Sequence, residues 1–294
     1  MAQKVKKKRK PIKVFDIVSF CILTLLMLIV LIPFYLTIIQ SFMTQQEYIM
    51  NSNTFWPTKP TLGNYRDIFV GSTMVRSFGN SVFYTVFGVI FSMFITTTLA
   101  YGLAKKGYPG RSFFQNLAIF TMYFGGGLIP FFLLVKQLGI INTRWAIILP
   151  SAFSVFNMII LRNFFEQLPP DLEEAATLDG AGPLRVFWTI DLPLVKPALA
   201  TLVLFYAVGR WNEWFYASLF LGNAKLWPMQ LELRQILWSS SEIVGNIPPE
   251  AGRPSFSEGL KAAAVMVTML PIMLVYPFLQ RYFVKGVMIG AIKS

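Results

Sequence analysis

The chain has 294 residues, of which 55% are hydrophobic, 16% aromatic and 14% charged, with a net charge of +12. Soluble domains carry about 25% charged residues, so this composition excludes an ordinary water-soluble fold and points to lipid. Histidine is absent and Cys21 is the one cysteine, which removes imidazole acid–base chemistry, a disulfide within the chain and a zinc site.

Seven basic residues (Lys4, Lys6, Lys7, Lys8, Arg9, Lys10 and Lys13) open the chain directly before an apolar run. Such a cluster reads as positive-inside anchoring at a membrane rather than as a nucleic-acid site. The run Ile17–Phe42 is too long for the apolar part of a signal peptide and lacks a small-residue cleavage site, so it reads as a first span. A bilayer core needs about 20 apolar residues in a helix. Five more segments meet that length: Phe78–Ala104, Phe113–Val135, Trp145–Phe165, Leu194–Leu221 and Ala262–Leu279. The expected fold is therefore an all-α membrane protein with six transmembrane helices in one domain over residues 1–294. Residues 1–15, 166–193 and 280–294 then fall inside, and 43–77 and 222–261 outside. With that orientation sixteen basic residues lie inside and nine outside, leaving Arg210 within the fifth span, in keeping with the positive-inside rule.

The nearest approach to a phosphate-binding loop is Gly102 to Gly107, but Tyr108 stands where lysine must follow the second glycine. The chain is expected to bind no nucleotide and no cofactor, so energy from ATP has to come from a partner.

Between the fourth and fifth spans lies the polar island PPDLEEAATLDGAGPLRVFWTIDLPLVKP, Pro169 to Pro197. Asp171 suits a helix cap, with Glu174 three residues on as an acidic form of the capping box. Asp179-Gly180 signals the helix end, and Pro183 opens a second short helix carrying Leu184, Phe187, Trp188 and Ile190. Small Ala175 and Ala176 allow close approach of another surface, and Glu173, Glu174 and Asp179 offer acceptors for basic groups. Capping alone also fits a self-contained surface helix pair, whereas a rib of this kind at a membrane face suits a grip for another protein.

Polar residues inside the spans are the other candidates, because a charge at depth is costly unless paired or wet. Arg210 and Glu213 are three apart and can pair on one helix face, within the run Arg210, Trp211, Asn212, Glu213 and Trp214. With Tyr206 and Tyr216 they suit a polar path in which aromatic faces stack on sugar rings. An ion pair that fixes helices, or an interface belt, fits them as well. Asn157 in the fourth span is a further path candidate. Gly125 and Gly126, with Gly127 and Pro130, fit either a bent helix lining a cavity or close helix packing.

These residues carry a family resemblance. Glu174-Ala175-Ala176, Asp179-Gly180-Ala181, Phe187, Ile190, Leu192-Pro193 and Pro197 resemble the EAA loop of permease subunits in binding-protein-dependent ABC importers. Phe124 to Pro150, the segment before the loop, Trp211 to Trp214 and the tail Lys285–Ser294 are similar to the MalG-like carbohydrate branch, and within it to permeases of the LplC/YtcP type that serve oligosaccharides. The resemblance implies a coupling loop (Glu173, Glu174, Ala175, Ala176, Asp179, Gly180, Phe187, Leu192 and Pro193) seated on an ATPase. It also implies a second homologous permease, two ATPase subunits that hold the ATP and Mg2+, an extracytoplasmic solute-binding protein docking on 222–261, and an oligosaccharide substrate. The place would be the bacterial cytoplasmic membrane, with both termini inside and no nucleic acid involved. A tail between ATPase protomers is implied in the same way. A permease for another solute stays open. An intramembrane glycosyltransferase or protease using Glu213 or an outside carboxylate lacks histidine, a paired acidic motif and a nucleophile elbow.

Overall fold

Backbone groups inside a bilayer find no water, so a chain of this composition must close its hydrogen bonds within helices or a closed barrel. The computed structural model, which describes residues 14–70, 73–239 and 257–291, takes the first solution, with no strand among the described residues. The N-terminal basic cluster and residues 240–256 of the segment 222–261, expected to dock a binding protein, lie outside the described residues. So do the last three residues of the tail and the side chains from residue 278 on.

The chain divides into two compact units, Met1–Ile68 with Asn246–Met266, and Phe69–Gly245 with Val267–Ser294. In the first, α1 (Val14–Ser41) is apolar around its circumference and exposes most of it. It is followed by α2 (Gln45–Met50), whose first turn is capped by the Thr44 hydroxyl accepting from the Glu47 amide, and by the start of α3 (Gly63–Val70). Side chains tether the irregular stretch between them. Asn64 donates to the carbonyls of Ser41 and Met43 at 3.0 and 3.1 Å, and the Tyr35 hydroxyl donates to the Phe55 carbonyl at 2.6 Å. The Glu47 carboxylate accepts from the amides of Thr58 and Lys59.

The second unit is built on α4 (Thr73–Ala104), a 32-residue helix. Its buried face includes Ser77, Ser81, Gly88, Ser92, Thr96 and Ala100, small residues mostly four apart that let neighbouring backbones come close. Along it pack α8 (Val155–Glu166) and α12 (Lys196–Trp211). At one end of α4 the core is Ala100, Leu103, Met158, Leu161, Phe165, Phe187 and Leu202; at the other it is Tyr84, Ile147, Ile148, Ala217, Leu221 and Leu231.

Three of the six expected spans are single helices long and apolar enough to cross a membrane: α1, α4 and the apolar window Glu258–Pro277 of α15 (Ser257–Ala291). The third is broken into α5 (Arg111–Tyr123) and α6 (Leu128–Gln137), bent by 117°. The fifth begins with a 78° bend between Pro183–Leu194 and α12, and ends early at Trp211 before the short α13 (Phe215–Phe220). The fourth is not one helix either. α7 (Trp145–Ile148) stops ahead of Pro150, which has no amide to donate, and α8 restarts under the Ser154 hydroxyl, which accepts from the Asn157 amide at 3.3 Å. Counting each bent pair as one span gives five among the described residues. The glycine run and Pro130 signal the break in the third span; apolar length shows none of these breaks, because Pro and Gly are as acceptable to a hydropathy window as to a turn.

The Thr58 amide, and after it that of Lys59, holds the exposed Glu47 carboxyl below its ordinary pKa. A depressed carboxyl stabilises the fold above its unfolded pKa and loses that contribution as pH falls through the folded value. Hydrogen exchange at Thr58 and Lys59, corrected for intrinsic rates, should therefore speed up in acid below about pH 4, and Glu47→Gln should remove that pH dependence.

Candidate functional site

The polar island folds as a helix pair. α9 (Pro170–Leu178) starts at Pro169, with Pro170 in the first turn and no side-chain cap. The expected cap at Asp171 is therefore corrected: Asp171 lies inside the first turn, where its charge meets the positive end of the helix dipole. The end of α9 matches expectation. Gly180 adopts φ +82°, its amide donates to Thr177 and that of Ala181 to Ala176, at 3.0 and 2.9 Å, which closes the last carbonyls in a Schellman motif. α10 (Pro183–Val186) continues through a π turn, Phe187–Asp191, into α11 (Leu192–Leu194).

Two faces result. Phe187 is buried against Tyr101 and Phe165, at ring distances of 4.5 and 6.4 Å, and Leu192 packs on the same core. Glu174, Ala175, Asp179, Gly180 and Pro193 are exposed, as are the apolar Leu178, Leu184 and Trp188. Ala176 is half-buried.

Lys105, at the end of α4, joins the two helices. Its ammonium bonds Glu173 of α9, reaches Asp191 at 3.5 Å, and lies 4.4 Å from the centre of the Tyr101 ring. Asp191 is 1% exposed and its Oδ1 has no hydrogen-bond partner. One cation thus serves two carboxylates, one of them buried. Partial burial pulls the Lys105 ammonium down, but hydrogen bonds to Glu173 and Tyr101 and the charge of Asp191 outweigh it and hold it above the ordinary lysine value. A raised lysine keeps its contribution through neutral pH and loses it only as pH climbs through that raised value. Lys105 was not among the residues singled out from sequence; a lone cation closing a span looks like ordinary positive-inside charge. Arg111 pairs with Glu166 and donates to the Leu103 carbonyl at 2.7 Å, and Arg162 bonds Glu166 at 3.3 Å, so α4, α5 and α8 are tied at the same end.

The intramembrane candidates divide differently. Arg210 does not pair with Glu213. It is 5% exposed and donates to the carbonyls of Ile147, Ile148 and Ser151 at 2.6, 3.1 and 2.5 Å, and to the hydroxyls of Ser151 and Ser92 at 3.1 and 3.2 Å. The guanidinium therefore satisfies the carbonyls that the break after α7 leaves without amides. Gly88 makes room for it, since a Cβ there would sit 3.0 Å from Arg210 Nε. Glu213 accepts from the Tyr216 amide at 2.9 Å, at the start of α13.

Trp211 is buried, donates to the Thr268 carbonyl at 3.2 Å, and lines an apolar cavity of about 250 Å³ with Phe78, Val82, Ala207, Pro271 and Tyr276. Tyr206 is buried with its hydroxyl 2.6 Å from that of Thr96. Asn157 is buried in the first turn of α8. Asn212 donates to the Val208 carbonyl at 2.9 Å and accepts from Gln230 at 3.1 Å, while Trp214 lies against Arg234. Gly125 and Gly126 sit in the break between α5 and α6, and Gly127 there has φ +87°. A Cβ at Gly125 would meet nothing within 4 Å, so of the two readings offered the break, not close packing, is what the structure contains.

Residues 1–289 match the family described as "Binding-protein-dependent transport system inner membrane component". The chain is 44% identical over 289 residues to Protein LplC of Bacillus subtilis, covering 96% of each. It is 42% identical to the polygalacturonan/rhamnogalacturonan transport system permease protein YtcP of the same organism, covering 96% of this chain and 99% of the relative. A chain from the crystal structure of a bacterial ABC transporter involved in the import of the acidic polysaccharide alginate superposes with a TM-score of 0.85 at 32% identity, covering 95% and 100% of the two chains.

Two consequences follow for stability. Arg210→Met strands the carbonyls of Ile148 and Ser151 at about 1–3 kcal/mol each, while that of Ile147 keeps the Ser151 hydroxyl at 3.3 Å, so the thermal unfolding temperature in detergent should drop sharply, and Gly88→Leu should reproduce part of the loss. Lys105→Ala leaves Asp191 buried and unpaired, at a cost of about 2–3 kcal/mol given that Lys105 is itself a third exposed. Exchange at α9 amides should rise accordingly, and Lys105→Met combined with Asp191→Leu should recover most of the protection.

Proposed function

The chain belongs to the inner membrane components of binding-protein-dependent transport systems, and on that premise we propose that it is the permease subunit of an ABC importer that moves an oligosaccharide across the bacterial cytoplasmic membrane. The observation that carries the mechanism is the helix pair around Gly180. It presents an exposed face of acidic and small residues, while Phe187 and the Lys105–Glu173–Asp191 cluster root it in the end of α4. A push on the exposed face reaches the longest helix of the second unit through an ion cluster and a ring stack rather than through a loose loop.

In this reading Glu173, Glu174, Ala175, Ala176, Asp179, Gly180, Phe187, Leu192 and Pro193 form the coupling loop, cytoplasmic and seated on an ATPase. The chain is a single permease domain with six spans, the broken ones included, and both termini inside. It pairs with a second permease above two ATPase subunits, which bind ATP and Mg2+, and receives solute from a binding protein outside. It does no covalent chemistry itself. Tyr206, Arg210, Trp211, Asn212, Glu213, Trp214, Asn157, Gly125 and Gly126 belong to the helices beside the path. Among them Gly125, Gly126 and Asn212 are exposed, Glu213 and Trp214 half-buried, and Arg210 acts by holding the broken fourth span.

Gly180 provides the test, because the position combines strained backbone with open space: nothing lies within 4 Å of a Cβ built there. Gly180→Ala should cost about 1 kcal/mol and leave sugar uptake in reconstituted vesicles close to normal. Gly180→Arg and Glu174→Lys should leave the subunit inserted and assembled yet uncouple ATP hydrolysis from uptake. Normal uptake in both charged variants, or purification of the intact assembly without an ATPase, would refute the coupling assignment.

A further inference from the structure

Arg234 of α14 (Met229–Ser239) is not among the residues that the sequence singles out, and its surroundings are unusual. Its guanidinium carbon lies 3.5 Å from the ring centre of Trp214 and 4.1 Å from that of Trp238. Stacking of this kind uses the flat face of the cation and leaves its rim of N–H donors for a planar anion. That rim is unused. Arg234 Nε is buried without an acceptor, and among the described residues no carboxylate comes within ion-pair distance of the side chain. The neighbouring acid, Glu213, is turned onto the Tyr216 amide.

The platform beneath the stack is rigid. The Met229 amide donates to the Ser81 hydroxyl at 2.7 Å, Asn80 donates to the carbonyls of Lys225 and Trp227, and the Tyr84 hydroxyl donates to that of Leu226 at 2.8 Å. Gln230, one turn before Arg234, bonds Asn212 at 3.1 Å, and Trp238 keeps 61% of its surface exposed. A guanidinium fork held against indole, an accessible indole face and a pair of amides together match a sugar ring that carries a carboxylate. The indole stacks on the ring, the amides meet hydroxyls, and the fork takes the carboxylate in bidentate fashion.

We propose that Trp214, Arg234 and Trp238 form a subsite that selects acidic oligosaccharides, those built from uronic acids, on their way into this permease. The proposal rests on the carbohydrate-importer reading above and narrows its substrate. A neutral sugar would leave the fork dry and unpaired, whereas a uronate neutralises it. Two of the similar proteins are described as handling polygalacturonan/rhamnogalacturonan and alginate, polymers of the class that this chemistry would recognise.

The test uses the complete assembly, with partner permease, ATPase and binding protein, in vesicles. Uptake of a short oligogalacturonate is compared with uptake of its fully methyl-esterified, neutral form. Wild type should prefer the acid; Arg234→Gln should raise the half-saturating concentration for the acid about tenfold, the loss of one charge-assisted contact, and leave the ester unchanged; Arg234→Lys should restore part of the preference. Equal losses for acid and ester, with weaker attachment of the unloaded binding protein, would mean that the fork meets a carboxylate of the docked protein and would overturn the subsite. Preference of wild type for the ester would overturn the acidic specificity while leaving the carbohydrate reading intact. If neither sugar is taken up and no carbohydrate stimulates the ATPase, both fall.

Discussion

Inside a lipid-embedded bundle, every backbone carbonyl that a helix break frees must find a donor in the protein. The break after α7 sets that requirement for the second unit, and Arg210 meets it. A residue brought from α12 fills the gap between α7 and α8, while Gly88 and Ser92 of α4 make the room and supply a further acceptor. Three helices distant in sequence are thereby fixed to one another at a single buried cation. The charge is carried by carbonyl and hydroxyl dipoles, and arginine serves here because its fork meets several acceptors at once and stays protonated.

The same economy appears at the C-terminal end of α4. Lys105 gathers Glu173 and Asp191, Tyr101 gathers Phe165 and Phe187, and the helix pair around Gly180 gains a base stiff enough to pass on a displacement. Rigid elements joined at their ends transmit motion; a tethered loop absorbs it. The π turn at Phe187–Asp191 points Phe187 and Asp191 inward together, leaving Leu184 and Trp188 on the outer face. That division of one short segment into an anchored side and an offered side gives the family assignment a mechanical content.

Along its length α4 carries small residues at intervals of about one helical turn, and the hydroxyls among them do double work. Ser81 receives the Met229 amide, Ser92 receives Arg210, and Thr96 bonds Tyr206. Close packing and polar satisfaction are therefore the same feature. It also explains why the short α14 is held so firmly that an exposed Trp238 and a stacked Arg234 stay in register.

The sequence by itself determined the class of the fold and the turn at Gly180, because these depend on composition and local stereochemistry. The family and the polar character of the run Arg210 to Trp214 were legible for the same reason, whereas the helix start, expected under a cap at Asp171, lies at Pro169. Tertiary structure decided which partner each charged residue takes. A spacing of three puts Arg210 and Glu213 on one face, yet the orphan carbonyls of a helix 60 residues earlier in the chain compete more strongly for the guanidinium than a carboxylate that already holds the Tyr216 amide. Lys105 and Arg234 were invisible in the same way, since what makes them matter are residues 68 positions away in one case and 20 in the other. Local rules bound what a residue can do, and the long-range meeting of unsatisfied groups selects what it does.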